Sequence, residues 1–170
     1  MRKSKSAWIV ILLLWGVLIL IDQLSKAWAL TRLSSGVRLP IFGDFLSLQL
    51  VHNAGAAFSF GADKPWIFTV LAALVVLAMP LLIRQYQRTL PVLALTFIWA
   101  GAAGNLGDRL ARGTQIGSGK VVDFINYNGW FVGNIADIVL VLGVILFLLW
   151  ELWAGRQHNS TAVTSKGGQQ

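Results

Sequence analysis

Two aspartates, Asp123 and Asp137, are the residues best placed for acid–base chemistry. Asp123 lies within the apolar segment Val-Val-Asp-Phe-Ile, and Asp137 opens an apolar run that ends near Trp150. An ionisable group at the mouth of a membrane segment is costly to keep there, which makes it a functional candidate. Two carboxylates that meet at one membrane surface can share a proton, as hydrolytic dyads do. The pair therefore predicts an intramembrane aspartic peptidase.

Each aspartate also has a purely structural explanation. If Asn134 is the N-cap of the last helix, Asp137 falls at position N3, close to a capping box and beside the positive end of the helix dipole. Asp123 could be an ordinary loop aspartate, although its apolar neighbours mean that it needs polar partners. The spacing of the two residues allows a dyad without requiring one.

The composition excludes several other catalytic centres. The chain has no cysteine and two histidines, His52 and His158, so a cysteine nucleophile and a three-histidine zinc site are impossible. A Ser-His-Asp triad would depend on His52, and the chain lacks a G-x-S-x-G nucleophile elbow. We therefore expect neither a metal nor a cofactor.

The composition is that of an integral membrane protein. Hydrophobic residues make up 56% of the 170 residues and charged residues 12%, about half the charged share of a soluble domain. The apolar runs predict four spans at about 7–28, 65–83, 90–110 and 134–153. They form one domain over residues 1–154, followed by a polar, disordered tail over 155–170. The net charge of +7 sits at the ends of the apolar runs, which favours lipid headgroups over nucleic acid as partners.

A short segment between the first two spans has a different period. Leu46, Leu48 and Leu50 alternate with polar residues, which is typical of a strand, and Gly43 and Asp44 before them form a turn signal. We expect a small β element within residues 36–60, outside the membrane and lying on its surface. The predicted fold class is therefore membrane all-α, with four transmembrane helices and this β element.

Two polar pairs could support the aspartates. Asp22 and Lys26 are four residues apart with the acid first, which suits either a weak surface pair or a buried pair or substrate contact at the mouth of the site. Asn105 and Arg109 share one face of the third span. Arg109 is either an interfacial anchor or a partner that keeps a carboxylate ionised.

Small residues mark two further segments. Asn53 is followed by Ala-Gly-Ala-Ala, which suits either close backbone approach or an ordinary turn. In the third span, Ala100 and Gly104, then Ala103 and Gly107, have the four-residue spacing of tightly packed membrane helices.

Five motifs in order carry a family resemblance. They are Asp22-Gln23-Leu24-Ser25-Lys26, Asn53-Ala54-Gly55-Ala56-Ala57-Phe58-Ser59, Gly104-Asn105-Leu106-Gly107-Asp108-Arg109-Leu110, Val121-Val122-Asp123-Phe124-Ile125 and Asn134-Ile135-Ala136-Asp137. With them the chain resembles the bacterial lipoprotein signal peptidases (signal peptidase II). The resemblance implies that Asp123 and Asp137 are the catalytic pair. It also implies that other residues line or brace the site: Asp22, Lys26, Asn53, Gly55, Asn105, Arg109, Asn134 and Ala136.

The resemblance also implies a biological setting. The protein would lie in the bacterial cytoplasmic (inner) membrane, with both termini in the cytoplasm and the site and β element at the extracytoplasmic face. We separately expect a monomer. Its substrate would be a prolipoprotein whose lipobox cysteine carries a diacylglyceryl group, cut just before that cysteine. Two departures from the family pattern are a longer, Gly-rich segment at 111–120 and Gly133, which stands where the family often has Phe, with Phe131 displaced.

Two other classes of protein remain as alternatives. A small four-helix proton-coupled transporter would also combine membrane carboxylates with an arginine, but it predicts acids near the middle of a span. Here every acid lies near a helix end or in a loop. A non-catalytic membrane scaffold would leave Asp123 and Asp137 as helix caps or loop residues.

Overall fold

The computed structural model describes residues 3–34, 36–55, 64–115 and 117–167, with side chains up to residue 157. Within these ranges the chain forms four long helices: α1 (Lys5–Arg32), α2 (Pro65–Gln85), α3 (Thr89–Ala111) and α4 (Ile135–Gly167). All four are long and apolar enough to cross a membrane. The four predicted spans are therefore confirmed.

The helices begin at residue types that suit a helix start. Ser4 precedes α1, and its Oγ accepts a hydrogen bond from the Ala7 N–H at 3.2 Å. Pro65 opens α2, where its missing N–H leaves no internal hydrogen bond unmade. Asn134 precedes α4 and caps it with its side chain, as described below.

Helix α3 is the centre of the bundle. It packs against each of the other three helices. In its most apolar stretch of 18 residues, 56% of the residues are buried, whereas the corresponding shares in α1, α2 and α4 are 11%, 17% and 11%. Gly104 permits this packing, since a Cβ there would lie 2.7 Å from an Asp22 carboxylate oxygen and 3.2 Å from the Ala136 Cβ. Gly101 also faces the backbone of α4 directly, whereas a Cβ on Gly107 would have only Gln23 within 4.0 Å. The predicted close packing of helices is therefore present at Gly104. It is absent at Gly107, and Gly101 makes the second close contact instead.

Four strands form one antiparallel sheet in the order β1 (Leu39–Phe42), β2 (Leu46–Asn53), β3 (Val121–Tyr127) and β4 (Phe131–Gly133). The predicted element at 36–60 contains β1 and β2, while residues 56–60 lie outside the described residues. The two further strands of this sheet, β3 and β4, were not predicted.

Asn128 and Gly129 form the turn between β3 and β4. Asn126 and Tyr127, just before it, belong to β3. Asn128 and Gly129 have φ values of 53° and 77°, and the Trp130 N–H donates to the Tyr127 carbonyl at 3.0 Å. Two consecutive positive φ values are typical of the type I′ turn that Asn-Gly favours. The loop has three residues, 128–130, because Tyr127 pairs with Phe131.

Alternation along β3 determines which residues face the bundle. Val122 and Phe124 pack with Ala29, Leu33 and Leu50 in a core between α1 and the sheet. Because successive side chains point to opposite faces of a strand, Asp123 faces the other side, towards the start of α4.

The last helix is longer than predicted. Helix α4 continues to Gly167, so residues 155–167 are helical where we expected a disordered tail. This stretch contains no proline, and its polar residues do not by themselves end a helix. Residues 168–170 lie outside the described part of the chain.

Candidate active site

Asp123 and Asp137 line one cavity of about 570 Å³ at the end of the bundle where the sheet lies. Asp123 stands in the middle of β3 and is 2% exposed. Asp137 lies in the first turn of α4 and is half-buried. Sheet and helix therefore bring two carboxylates from different elements to the same space.

Asn134 joins the two carboxylates. Its side-chain NH₂ donates to Asp123 Oδ1 at 2.7 Å, and its backbone N–H donates to Asp137 Oδ2 at 3.0 Å. Its side-chain oxygen accepts from the Asp137 N–H at 3.0 Å. The Asn134–Asp137 contacts form the reciprocal pair of a capping box. The capping explanation for Asp137 is therefore correct, and the same residues also face the cavity.

Two further asparagines complete the contacts of the pair. Asn53 donates to Asp123 Oδ2 at 3.0 Å, and Asn105 donates to Asp137 Oδ1 at 2.7 Å. Asn134 also donates to the Asn105 side-chain oxygen at 3.1 Å. Each of the four carboxylate oxygens thus accepts at least one N–H, which fixes the orientation of both side chains.

Burial and charge make Asp123 a weak acid. Burial of the Asp123 carboxyl is the largest cause that raises its pKa, to about 7, and the nearby charge of Asp137 acts in the same direction. The hydrogen bonds from Asn53 and Asn134 favour the ionised form and partly oppose this rise. The pKa of Tyr127, which lines the same cavity, is also raised by burial and by Asp137.

Lys26 is the centre of a second polar network beneath the pair. It is fully buried and forms ion pairs with Asp22 at 2.8 Å and with Asp108 at 2.9 Å. It also donates to the Asn105 side-chain oxygen at 3.0 Å. The Asp22–Lys26 pair is therefore a buried structural pair, because it has no surface to offer to a substrate.

Asp22 and Asp108 use their remaining oxygens to hold the backbone. Asp22 accepts from the Ala136 N–H at 2.9 Å, in the first turn of α4. Asp108 accepts from the Val122 N–H at 3.2 Å, next to Asp123 on β3. The network thus ties α1 and α3 to the two elements that carry Asp123 and Asp137.

Arg109 is not an interfacial anchor, and the charges of Asp123, Asp108 and Asp137 act on its guanidinium. It is 6% exposed, which rules out an interfacial anchor, and no ion pair joins it to a carboxylate among the described residues. Its guanidinium donates to the carbonyls of Ala54 at 3.1 Å and Gly55 at 2.5 Å. The Asn53 side chain accepts from the Gly55 N–H at 2.9 Å. Arg109 therefore holds the turn that presents Asn53 to Asp123.

Aromatic and aliphatic side chains form the rest of the cavity wall. The rings of Tyr127 and Phe131 stack with centroids 6.1 Å apart, and both line the cavity. A Cβ on Gly133 would lie 2.6 Å from the Phe131 ring and 2.9 Å from Asp137 Oδ2. The absent side chain at position 133 is thus what admits the displaced Phe131 ring.

The cavity is open towards the apolar surface of α4. Ile138, Val141 and Leu142 line it and are 37%, 53% and 46% exposed. Their three- and four-residue spacing places them on one side of the helix. A polar floor with carboxylates therefore continues into an apolar groove on the exposed side of α4.

The structure brings all the predicted site residues into one connected region. Asp123, Asp137 and the three asparagines form its upper part, and Asp22, Lys26 and Ala136 lie beneath them. Asp108, Gln23 and Tyr127 also belong to this region but were not among the predicted site residues. Asp108 and Gln23 stand inside the quoted motifs, and Gln23 donates to Asp108 at 3.2 Å. Tyr127 reaches the cavity wall through the pairing of β3 with β4, which no local pattern indicates. Among the described residues, no three histidine and acidic side chains converge as a metal site requires.

These features define a class of protein: a multi-pass membrane protein with paired carboxylates in a cavity that opens onto an apolar helix surface. Residues 14–153 match the signal peptidase (SPase) II family. A lipoprotein signal peptidase of Bifidobacterium adolescentis is 44% identical over 157 residues, which is 89% of this chain and 80% of that protein. One from Hydrogenovibrio crunogenus is 34% identical over 95% of this chain and 96% of that protein.

Solved structures agree with this similarity. Two structures of bacterial membrane enzymes superpose with TM-scores of 0.75 and 0.73 at 27% and 26% identity. Each alignment covers 89% of this chain, and 90% and 96% of the two solved chains. The chain belongs to the signal peptidase II family. It is a membrane protease, and the resemblance found in its five motifs is confirmed.

Proposed function

We propose that this protein is an aspartic endopeptidase that removes signal peptides from prolipoproteins, with Asp123 and Asp137 as the catalytic pair. Its relatives are named lipoprotein signal peptidases, which supports the substrate class. We further propose that the substrate carries a diacylglyceryl group on its lipobox cysteine, and that the enzyme cuts just before this cysteine.

The observation that carries the mechanism is the shared contact through Asn134. One side chain donates to Asp123 and caps the helix turn of Asp137, so the two carboxylates are held in fixed relation at one cavity. Neither carboxylate is committed to an ion pair within the described residues, since the pairs there involve Asp22 and Asp108. Both remain available for proton transfer.

Hydrolysis proceeds in this proposal without a covalent intermediate. The ionised aspartate removes a proton from water while the water oxygen attacks the scissile carbonyl carbon. The protonated aspartate hydrogen-bonds the carbonyl oxygen and gives it a proton, which produces a neutral gem-diol. In the collapse, the aspartate that took the proton from water gives it to the leaving amine as the C–N bond breaks. The other aspartate takes a proton from a gem-diol hydroxyl as the carbonyl re-forms, which restores the pair. General acid and base are thus supplied by one pair.

The electrostatics of the site suit this division of work. With the pKa of Asp123 raised to about 7, the pair retains one proton near neutral pH, since two adjacent carboxylates do not both ionise easily in a buried site. The proton belongs to the pair as a unit. One carboxyl can therefore act as acid while the other acts as base.

The apolar groove along α4 suits the lipid part of the substrate. Ile138, Val141 and Leu142 offer a surface on which acyl chains can lie while they stay in the bilayer. The stacked Tyr127 and Phe131 rings bound the same cavity above Asp137. We propose that the protein acts as a monomer in the bacterial inner membrane, with both termini in the cytoplasm and the site near the extracytoplasmic face.

The test uses the purified full chain in vesicles with a diacylglyceryl-modified prolipoprotein and its unmodified precursor. We expect cleavage of the modified form alone, and its loss in Asp123→Asn and Asp137→Asn. Asp44→Asn is the matched control because Asp44 is exposed in the β1–β2 turn, and it should keep full activity. Near-normal turnover by either variant of the pair would refute the two-aspartate mechanism.

Thermal unfolding of each variant separates lost chemistry from lost folding. An asparagine at position 123 would meet two N–H donors, from Asn53 and Asn134. Its side-chain oxygen can accept from one of them, but its NH₂ group would face the other donor. We therefore expect the variant to be somewhat less stable but folded. If well-folded wild-type protein cleaves neither substrate, the peptidase proposal is wrong, and proton-coupled flux would then be measured.

A further inference from the structure

A second polar cavity lies on the opposite face of the sheet from Asp123. Its volume is about 340 Å³. Its lining comes from the end of α1, from β2, from the segment after α3 and from the start of β3: Leu30, His52, Arg112, Gly113, Thr114, Ser118, Lys120 and Val122. We call this cavity the basic pocket, because three of these residues carry basic side chains and none is acidic.

Strand pairing builds the basic pocket. His52 on β2 pairs with Val122 on β3, and Lys120 directly precedes β3. Leu50 and Phe124, further along the same face, belong to the core against α1. One face of the sheet thus changes from apolar to basic at the point where the helix no longer covers it.

The charges in the basic pocket are only partly neutralised. Arg112 directs Nε to Asp108 at 2.8 Å and a terminal nitrogen to Gln23 at 3.4 Å. No ion pair or side-chain hydrogen bond joins Lys120 or His52 to any residue that the structure describes. These two exposed side chains supply N–H donors, and the Thr114 hydroxyl is also at the pocket wall. These donors and positive charges favour an anionic ligand with several acceptor oxygens.

The basic pocket lies at the level expected for lipid headgroups. Helix α1 has 28 residues and is therefore about 42 Å long, which exceeds a hydrocarbon core of roughly 30 Å. Leu30 lies in its last turn, and Arg112 directly follows the last residue of α3. Trp28, 46% exposed in the same part of α1, is a residue type enriched at membrane interfaces.

We propose that the basic pocket binds the phosphate group of an anionic phospholipid, with Lys120 and His52 as donors and Leu30 against the glycerol backbone. Free phosphate offers the same oxygens but no apolar part, and the position at the end of α1 favours the lipid. This proposal rests on the membrane setting and not on the two-aspartate mechanism.

The pocket connects to the candidate active site through a continuous set of polar contacts. Arg112 contacts Asp108 at 2.8 Å, Asp108 contacts Lys26 at 2.9 Å, and Lys26 contacts Asn105 at 3.0 Å. Asn105 donates to Asp137 at 2.7 Å. A headgroup bound beside Arg112 therefore lies at the outer end of the network that supports Asp137.

The test measures lipid binding directly. The full chain is placed in phosphatidylcholine nanodiscs containing increasing amounts of phosphatidylglycerol, and the phosphatidylglycerol retained after detergent release is counted by native mass spectrometry. We expect His52→Gln combined with Lys120→Gln to weaken retention at least about fivefold, since the one lysine charge near anionic lipid contributes roughly 1 kcal/mol. Lys64→Gln is the matched control, an exposed lysine at the start of α2 with no side-chain cap bond.

The outcomes separate the possible ligands. The proposal is overturned if the double variant retains as much phosphatidylglycerol as the wild type. It is also overturned if the wild type retains phosphatidylcholine as well as it retains phosphatidylglycerol. Inorganic phosphate is titrated against both proteins in an uncharged detergent. If it stabilises only the wild type while lipid retention stays equal, the pocket binds soluble phosphate and the lipid assignment is wrong. Matching thermal unfolding of all variants in pure phosphatidylcholine confirms that lost binding is not lost folding.

Discussion

Asn134 and Asp137 hydrogen-bond each other twice in the first turn of α4, each side chain accepting from the other's backbone N–H at 3.0 Å. The same Asn134 donates its side-chain N–H to Asp123 at 2.7 Å. The atoms that begin the helix are therefore also those that orient the candidate catalytic pair. A capping role for Asp137 and a chemical role are not alternatives, because the cap determines where its carboxylate points.

Two substitutions of Asn134 separate these roles. Serine retains a cap oxygen but not the donor to Asp123, whereas alanine retains neither. We expect Asn134→Ala to unfold about 0.5–2 kcal/mol more easily than Asn134→Ser, which is the range for a lost cap. Both should lower kcat/KM about tenfold or more, the effect of a lost hydrogen bond to a charged group. Full activity in Asn134→Ser would show that Asn134 is only a cap.

Stability should depend on pH through Asp123. Its pKa rises from 3.8 to about 7 on folding, so between these values the folded protein keeps a proton that the unfolded chain has released. The free energy of unfolding then falls as pH rises, by up to about 1.4 kcal/mol per pH unit, and levels off above pH 7. Asp123→Asn lacks this contribution. Denaturation of the wild type and of Asp123→Asn from pH 4 to 8 measures the difference. If the free energies of unfolding of the two proteins change with pH in parallel, the prediction is wrong.

Activity should depend on pH through the same proton. The pair loses its last proton as pH rises through about 7, so kcat/KM, which reports the free enzyme, should fall there. Asn53 donates to Asp123 at 3.0 Å and favours its ionised form. Asn53→Ala should therefore raise the pKa of Asp123 and move the falling limb of the kcat/KM profile to higher pH by about one unit. A limb that stays in place would show that Asp123 does not control it.

Lys26 should be the most costly single residue to remove for stability. Its ammonium is fully buried between Asp22 and Asp108. Lys26→Met would leave Asp22 without a cation and Asp108 with Arg112 alone. Breaking a buried ion pair typically costs about 3–5 kcal/mol. The exposed Lys64→Met is the control and should change stability little. Unfolding in detergent measures both, and similar curves for the two variants would contradict a structural role for Lys26.

The missing side chain at position 133 should matter for activity. In Gly133→Ala the new Cβ would be 2.6 Å from the Phe131 ring and 2.9 Å from Asp137 Oδ2, so the ring or the carboxylate must move. We expect kcat/KM to fall at least about tenfold, since small displacements of catalytic groups have large effects. Gly107→Ala is the control, because its Cβ would have only Gln23 at 4.0 Å. Equal activity of both variants would contradict this role.

The sequence by itself determined the features that depend on near neighbours. Four long apolar runs predicted the four spans, because a membrane segment needs its hydrophobic residues in succession. The Asn134–Asp137 spacing predicted the capping box, because its contacts join residues three positions apart. Leu46, Leu48 and Leu50 predicted β2 through a period of two. The family motifs located both aspartates.

Only the tertiary structure decided the contacts between distant residues. β3 pairs with β2 across about 70 positions, and this places Asp123 opposite Asp137. Lys26 finds Asp108 on another helix, and Arg109 finds the carbonyl of Gly55 on a turn. No local pattern specifies such partners, because a buried charge or donor accepts any suitable group that packing brings within reach. Which group that is depends on how the four helices and the sheet assemble.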